Sequence, residues 1–290
     1  MNNSGSRTTL VIGAAVVAGG MAGVVANAQA PAQAPAAAPA PATPRGPDGK
    51  PIVHGVWVSG GVGLPSGSDT QNFQGRGGNY VGLEADGAIR RTMNENMPLY
   101  KPEFWDRITE LEYFGNWEDP VDHCWGLGVP RMGPPHQIVK VEGQPAYILI
   151  NQSGFNGYNG SYQPTSQYRW VWADGRPHRQ EYVAYETSMG DPVARWEGDT
   201  LVIESIGFTD WTWLHKNGWI HGFNMKVTER LTRVGDALVW EATVEDPEFL
   251  LEPWRMTPTV SQFNRNPNAY LPETLPCSVI EPFGSHTRSG

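Results

Sequence analysis

Residues 225–245, MKVTERLTRVGDALVWEATVE, decide the fold class. Gly235-Asp236 is a two-residue turn of the Gly-X type between alternating apolar residues, the local mark of a β-hairpin. Pairing outward from it sets Leu231 opposite Trp240, Glu229 opposite Ala242 and Val227 opposite Val244. Side chains alternate along a strand, so Met225, Val227, Glu229, Leu231, Leu238, Trp240, Ala242 and Val244 share one surface. The other surface carries Lys226, Thr228, Arg230, Thr232, Glu241 and Thr243, with Arg230 across from Glu241. Glu229 alone breaks the division. A carboxylate aimed into an apolar layer is costly unless it is paired, hydrated or protonated.

Other turns extend the pattern. QYRWVWADGRPHRQEY turns at Asp174-Gly175, a type I′ pair that sets His178 opposite Val171. VARWEGDTLVIESIGF turns at Gly198-Asp199, placing Trp196 beside Leu201 and Ala194 beside Ile203. QIVKVEGQPAYILINQ forms a looser hairpin through Glu142–Gln144, and RMTPTVSQFN adds a further strand, giving about nine in all. Helical periodicity is confined to Glu103–Tyr113. The expected fold is all-β: an antiparallel up-and-down, lipocalin-like barrel or strongly curved sheet, with a two-sheet sandwich as the alternative. Residues 49–135, rich in Gly, Pro and Asn, read as an irregular N-terminal wrap, 136–265 as the barrel strands and 266–290 as a C-terminal tail.

Residues 1–28 read as an export leader: Arg7, the apolar run Thr9–Val25, and the small-x-small site Ala26-Asn27-Ala28. A membrane anchor is the rival reading, opposed by the glycine content of the run and the lack of a basic cluster after it. No twin-arginine pair precedes the run and no cysteine follows the site, which favours a Sec-type route to the periplasm or exterior. That route delivers an unfolded chain, so no organic cofactor is expected. Residues 29–48 form an Ala/Pro-rich tether expected to be extended and disordered, and 49–290 a single domain. The net charge of -9 argues against a nucleic-acid partner, and no stable membrane insertion is expected once the leader is removed. The two cysteines, Cys124 and Cys277, read most simply as one disulfide in an oxidising compartment; two free thiols are the alternative. Closing so long a loop is worth about 4–5 kcal/mol in the chain-entropy limit.

The run ARWEGDTLVIESIGF, followed by TWL, TERL and VEDPEFLLEPW, resembles a family of exported bacterial proteins of undefined activity. That family carries a G-R-W-E-G-D-T-L-V-V-D-T-x-G-F block, then E-R-F and D-P-x-x-Y-x-x-P-W. EDPVDHCWGLGVPRMGPP, RWVWADGRPH and ETLPC are similar to its other segments, so the resemblance spans most of Met97–Glu281. It implies export, supports the pairing of the two cysteine segments, and assigns no reaction. Where the family often has G-H-S before this block, the chain has Gly190-Asp191-Pro192, so an imidazole role there is lost.

Three sets of residues are candidates for chemistry. Glu229 comes first, as a general acid or base if desolvation raises its pKa, or as a structural carboxylate tied to Arg195 or Arg233. His178, Asp191 and His221 fall in loops or strand ends that could share one barrel mouth, the two histidines assisting Glu229 and Asp191 contacting the substrate or, more weakly, all three forming a 2-His-1-carboxylate metal site. His123 and His136 flank Cys124 and read as organisers of the wrap. Trp211, Trp213 and Trp219 crowd the stretch DWTWLHKNGWIHGF and, with Trp240, suit a ring-shaped ligand or simply plug the barrel. Asp191, Glu204 and Asp210 leave a paired-carboxylate glycosidase arrangement open. The chain has no G-x-S-x-G elbow, P-loop, G-x-G-x-x-G or CxxC pair, which disfavours covalent serine chemistry and nucleotide cofactors. The functional expectation is an exported, cofactor-independent enzyme (lyase, hydratase, isomerase or hydrolase) acting on a small cyclic or aromatic molecule. Glu229, His221 and His178 would carry the proton and Arg195 would orient the substrate. The alternative is a lipocalin-like binder without catalysis.

Overall fold

The computed structural model describes residues 41–59, 81–83, 89–91, 96–114, 118–156, 162–179, 185–215 and 218–271. The expected leader, most of the expected tether, Cys277 and the expected C-terminal tail beyond residue 271 lie outside the described residues. The chain divides into residues 1–39 and 40–290, and the second unit holds every described residue.

Its strands are β1 (Gly55–Ser59), β2 (Val81–Leu83), β3 (Ile89–Arg91), β4 (Gln137–Lys140), β5 (Ala146–Asn156), β6 (Tyr162–Trp172), β7 (Asp191–Glu197), β8 (Thr200–Ile206), β9 (Lys226–Val234), β10 (Ala237–Glu245), β11 (Trp254–Arg255) and β12 (Thr259–Phe263). Nine of them close a barrel in the order β10-β12-β1-β4-β5-β6-β7-β8-β9, with β9 pairing back onto β10. β11 is a short extra pairing on β10, and β2 and β3 form a separate two-stranded ribbon. The helix α1, Trp105–Phe114, follows a 3-10 turn at Pro102–Phe104 and buries Ile108 and Leu111. No helix among the described residues is long and apolar enough to cross a membrane.

The β9–β10 hairpin has the expected register, with Leu231, Glu229 and Val227 facing Trp240, Ala242 and Val244. Gly235 has φ +60 while Asp236 is not left-handed, as a Gly-X turn requires. Burial alternates along both strands and every residue of the predicted inner face is buried. The β7–β8 and β4–β5 hairpins also form where expected.

Three features depart from the expectation. Asp174-Gly175 does not turn a hairpin: β7 runs parallel to β6 at Trp172–Val193, so the intervening segment is a crossover. Pro177 supplies no donor for a returning strand. Arg176 instead stacks its guanidinium 3.8 Å from the centre of the Trp172 ring and pairs with Asp174 at 2.6 Å. Next, the region read as irregular wrap contributes β1, which enters the ring between β12 and β4 with Trp57 buried against Phe263. Five residues among many glycines are too short a run to stand out. Finally, the end of the expected tether is folded: Gly235 N donates to Thr43 Oγ1 at 2.9 Å and Arg45 pairs with Asp199 at 2.6 Å, so this segment lies against the two hairpin turns.

Candidate functional site

Two groups of charged side chains occupy opposite faces of the barrel wall. Inside, Glu229 is 0% exposed. Its carboxylate is held by Arg169 of β6, with Nη1 on Oε2 and Nη2 donating to Oε1 at 2.7 Å, and Trp240 Nε1 donates to Oε1 at 2.8 Å. Arg169 reaches the interior because Leu149, its β5 neighbour in register, faces inward too, whereas Tyr168 and Trp170 face out. The arrangement neutralises both charges, as burial demands. It leaves no accessible carboxylate oxygen. The lumen around it is core, built by Trp57, Leu149, Leu201, Ile203, Leu231 and Trp240.

Neither of the two expected partners of Glu229 is its partner. Arg195 points outward, where it pairs with Glu197 at 2.7 Å, and so cannot orient a molecule in the lumen. Arg233 is inside but closes the hairpin end. Its Nε donates to Gly235 O at 2.7 Å, Nη1 donates to Ile52 O at 2.5 Å, and the guanidinium lies over Trp57 and Phe263. Arg230 stands across from Glu241 as expected, yet its guanidinium binds Glu197 at 2.9 Å.

Outside the wall, the crossover after β6 lays His178 over β7 and β8. His178 Nδ1 is 3.1 Å from Asp191 Oδ2, which also accepts from Arg179 N at 3.3 Å. His178 Nε2 has no hydrogen-bond partner and lies 3.5 Å from Glu204 Oε1. Register puts Asp191 opposite Ile206 and Glu204 opposite Val193 and Thr228, all on the face away from Glu229. His178 and Asp191 do meet as expected, but on the outer wall.

His221 joins neither group. It is buried in the β8–β9 connection, where Nδ1 lies 3.1 Å from Gly222 O and Nε2 lies 2.8 Å from Thr212 Oγ1. A carbonyl only accepts, so Nδ1 carries the hydrogen and Nε2 accepts from Thr212. Burial holds the ring's pKa below the ordinary histidine range, against the opposing pull of Asp246 and Asp210. Its two nitrogens are thus engaged locally, and the three-residue metal set does not assemble. Among the described residues no three His, Cys, Asp or Glu side chains converge on a point that could hold a metal.

The aromatic set divides as well. Trp213, Trp219 and Trp240 are buried and act as plug and core. Trp211 is 56% exposed and meets Trp125, itself 49% exposed, edge to face with ring centres 4.7 Å apart. Trp125 is presented by a short turn built from the sequence D-P-V-D-H-C-W. Asp119 accepts from Val121 N at 3.2 Å, Pro120 opens the 3-10 turn, and Cys124 ends it in the left-handed region. Buried Arg131 pairs with Asp119 at 2.6 Å and stiffens the base. Gly128, at φ +73, lets the chain pass where a Cβ would sit 2.6 Å from Ser188 O. His123 and Cys124 belong to the same turn, while His136 Nδ1 accepts from Gln152 N at 3.2 Å. A cavity of about 460 Å³ opens elsewhere, beside Asn96, Met97, Glu252, Trp254 and Arg255; none of the expected site residues lines it.

Sequence reasoning missed Arg169 and Trp125. A lone interior carboxylate requires a buried cation, and Arg169 is the one charged residue in Gln167–Trp172, but nothing local says which strand faces β9 across a lumen. Compared with protein families, curated proteins and solved structures, the chain matches none.

Proposed function

We propose that the protein is an exported β-barrel that binds a small ring-shaped molecule at its rim, clasped by Trp125 and Trp211. The observation that carries this reading is the contact between two half-exposed indoles from segments 86 residues apart in sequence, 125 and 211, each anchored by ordered backbone. Large apolar rings left in water at one point favour a ligand that covers them. The packed lumen directs binding to the rim and makes Glu229 a structural charge. Export through the Sec-type leader to the periplasm or exterior, resemblance to an exported family, and a Cys124–Cys277 bridge next to Trp125 belong to the same proposal. So does the absence of an organic cofactor and of any nucleic-acid partner.

A thermal-shift screen of plant- and lignin-derived aromatics, sterols and oligosaccharides tests it. Ligands that raise the melting temperature should bind about tenfold more weakly to Trp211→Ala and to Trp125→Ala. Undiminished affinity in both variants would refute the rim site and direct attention to the cavity beside Trp254.

One observation favours a second reading, acid–base chemistry on such a ligand. His178 is oriented through Nδ1 by Asp191, and its Nε2, buried and without a hydrogen-bond partner, lies 3.5 Å from Glu204 Oε1, so a ligand would reach it as a base only where the Glu204 side chain moves aside. The proton-transfer role expected of Glu229 passes to His178 in this reading. Product formation from a screened ligand, lost in His178→Asn and kept in Arg195→Ala, would establish it; product formation that survives His178→Asn would end it.

A further inference from the structure

The outer wall of the barrel is divided by charge. Across β7, β8, β9 and β10 its outward residues include Arg195, Glu197, Glu204, Arg230, Glu241 and Glu245. Across β4, β5 and β6 the outward rows read Val139, Ile148 and Trp170, and beside them Gln137, Ile150 and Tyr168, with no charged side chain. Tyr168 is 73% exposed and Trp170 38% exposed, well beyond what a strand position in a folded wall needs. Trp172 continues the line, its ring centre 5.7 Å from that of Trp170, and it already receives the flat guanidinium of Arg176 at 3.8 Å. The Trp170 and Trp172 planes are tilted 50° to each other and Arg176 covers Trp172, so the rings that this strip leaves open to a ligand are Tyr168 and Trp170.

Its shape and charge select the occupant. Three strands spaced about 4.8 Å apart, and about 13 Å from Tyr168 to Trp172 along β6, make a patch of roughly 200 Å². A stable interface between two copies needs about 800 Å² from each. A chain of net charge -9 is also repelled by an anionic lipid surface. Two neighbouring exposed rings, Tyr168 and Trp170, on rows without charged side chains instead suit a short stretch of neutral glycan, whose apolar ring faces stack on phenol and indole. Gln137 and the Tyr168 hydroxyl lie where hydroxyl groups at the margin could be hydrogen-bonded.

We propose that the outer face of β4–β6 is a binding strip for a neutral polysaccharide, centred on Tyr168 and Trp170 and separate from the rim site. The test is calorimetry on the full chain with cellohexaose and with the hexamer of N-acetylglucosamine as probes. At least one should bind, about tenfold more weakly to Tyr168→Ala and to Trp170→Ala, while Arg195→Ala on the charged wall binds as the parent does. Tyr168→Ala removes a side chain that is largely in solvent, so it tests the strip without threatening the fold. No heat with either hexamer at millimolar concentration overturns the proposal, as does binding that survives both alanine variants. A concentration-dependent dimer by sedimentation, abolished by those variants, would identify the strip as a contact between copies and overturn it as well. Trp211→Ala separates the two sites: glycan affinity lost there but kept in Tyr168→Ala assigns the sugar to the rim.

Discussion

The two faces of one β-sheet wall handle charge in opposite ways. Inside, buried Arg169 meets Glu229, and a third donor, Trp240, completes the carboxylate's shell. Outside, His178 stands between Asp191 and Glu204, with its Nε2 buried beneath a Glu204 side chain that is itself partly exposed. The comparison teaches that an odd charge in an alternating strand is not by itself a sign of reactivity. What distinguishes the two is whether the carboxylate has met a counter-charge and a full set of donors. The Glu229 carboxylate accepts three hydrogen bonds, from two Arg169 nitrogens and Trp240, and only Arg169 Nε is left without a partner, whereas His178 Nε2 meets Glu204 at 3.5 Å with no hydrogen bond.

That contrast can be broken experimentally, most strongly from the inside. Glu229→Gln leaves the Arg169 cation buried without its counter-charge and should cost about 3–5 kcal/mol, measured by urea unfolding. The double variant Arg169→Met, Glu229→Leu should recover most of that loss, because it removes both desolvated charges together. If Glu229→Gln melts like the parent, the interior pair contributes nothing and the distinction between the faces collapses. A smaller effect, about 2–3 kcal/mol, is expected for Trp240→Phe, which keeps an aromatic ring but deprives Glu229 of one donor and leaves space where the rest of the indole was.

Acid should sharpen the comparison. Burial depresses the pKa of His221, and of His136, so in the folded state both rings stay neutral where an unfolded histidine gains its proton. The unfolded chain then binds more protons, and stability falls as pH drops below about 6.5, by up to about 1.4 kcal/mol per pH unit for each ring. Unfolding curves at a series of pH values should show this slope, reduced in His221→Gln; an equal slope in that variant would remove His221 as its source. On the outer wall, His178→Asn should change stability by less than about 1 kcal/mol, and the change should shrink with added salt. Arg195→Ala should have no measurable effect on the melting temperature.

Much of the barrel is legible in the sequence because hairpins declare themselves locally. The turn at Gly235-Asp236, the alternation on either side and the inward placement of Glu229 all follow from backbone geometry and a period of two. The barrel class follows from several such hairpins in series. Pairing between elements distant in sequence is a different matter. The parallel step from β6 to β7, the insertion of β1 beside β12, and the choice of Arg169 over Arg195 or Arg233 depend on where a strand lies in the ring. Arg195 is legible as an outward residue, because Ala194 and Trp196 on either side of it face inward, so the alternation alone excludes it as a partner of Glu229. The tryptophans illustrate a further limit. Composition flagged the stretch around residue 211, yet only the fold separates Trp213 and Trp219, which fill space, from Trp211, which awaits contact with something else. Trp125 carried no signal beyond its neighbouring cysteine.

The seam between β1 and β12 sets the order in which this molecule can be completed. Trp57 belongs to the first strand of the ring to leave the ribosome and Phe263 to the last, so their contact forms only when the whole circuit has been synthesised. Until then two open sheet edges are exposed at once, each a template for another chain. A protein joined in this way is best kept from folding until it has been delivered in full, and it should tolerate loss of its last strand far worse than loss of an equal length from a surface loop.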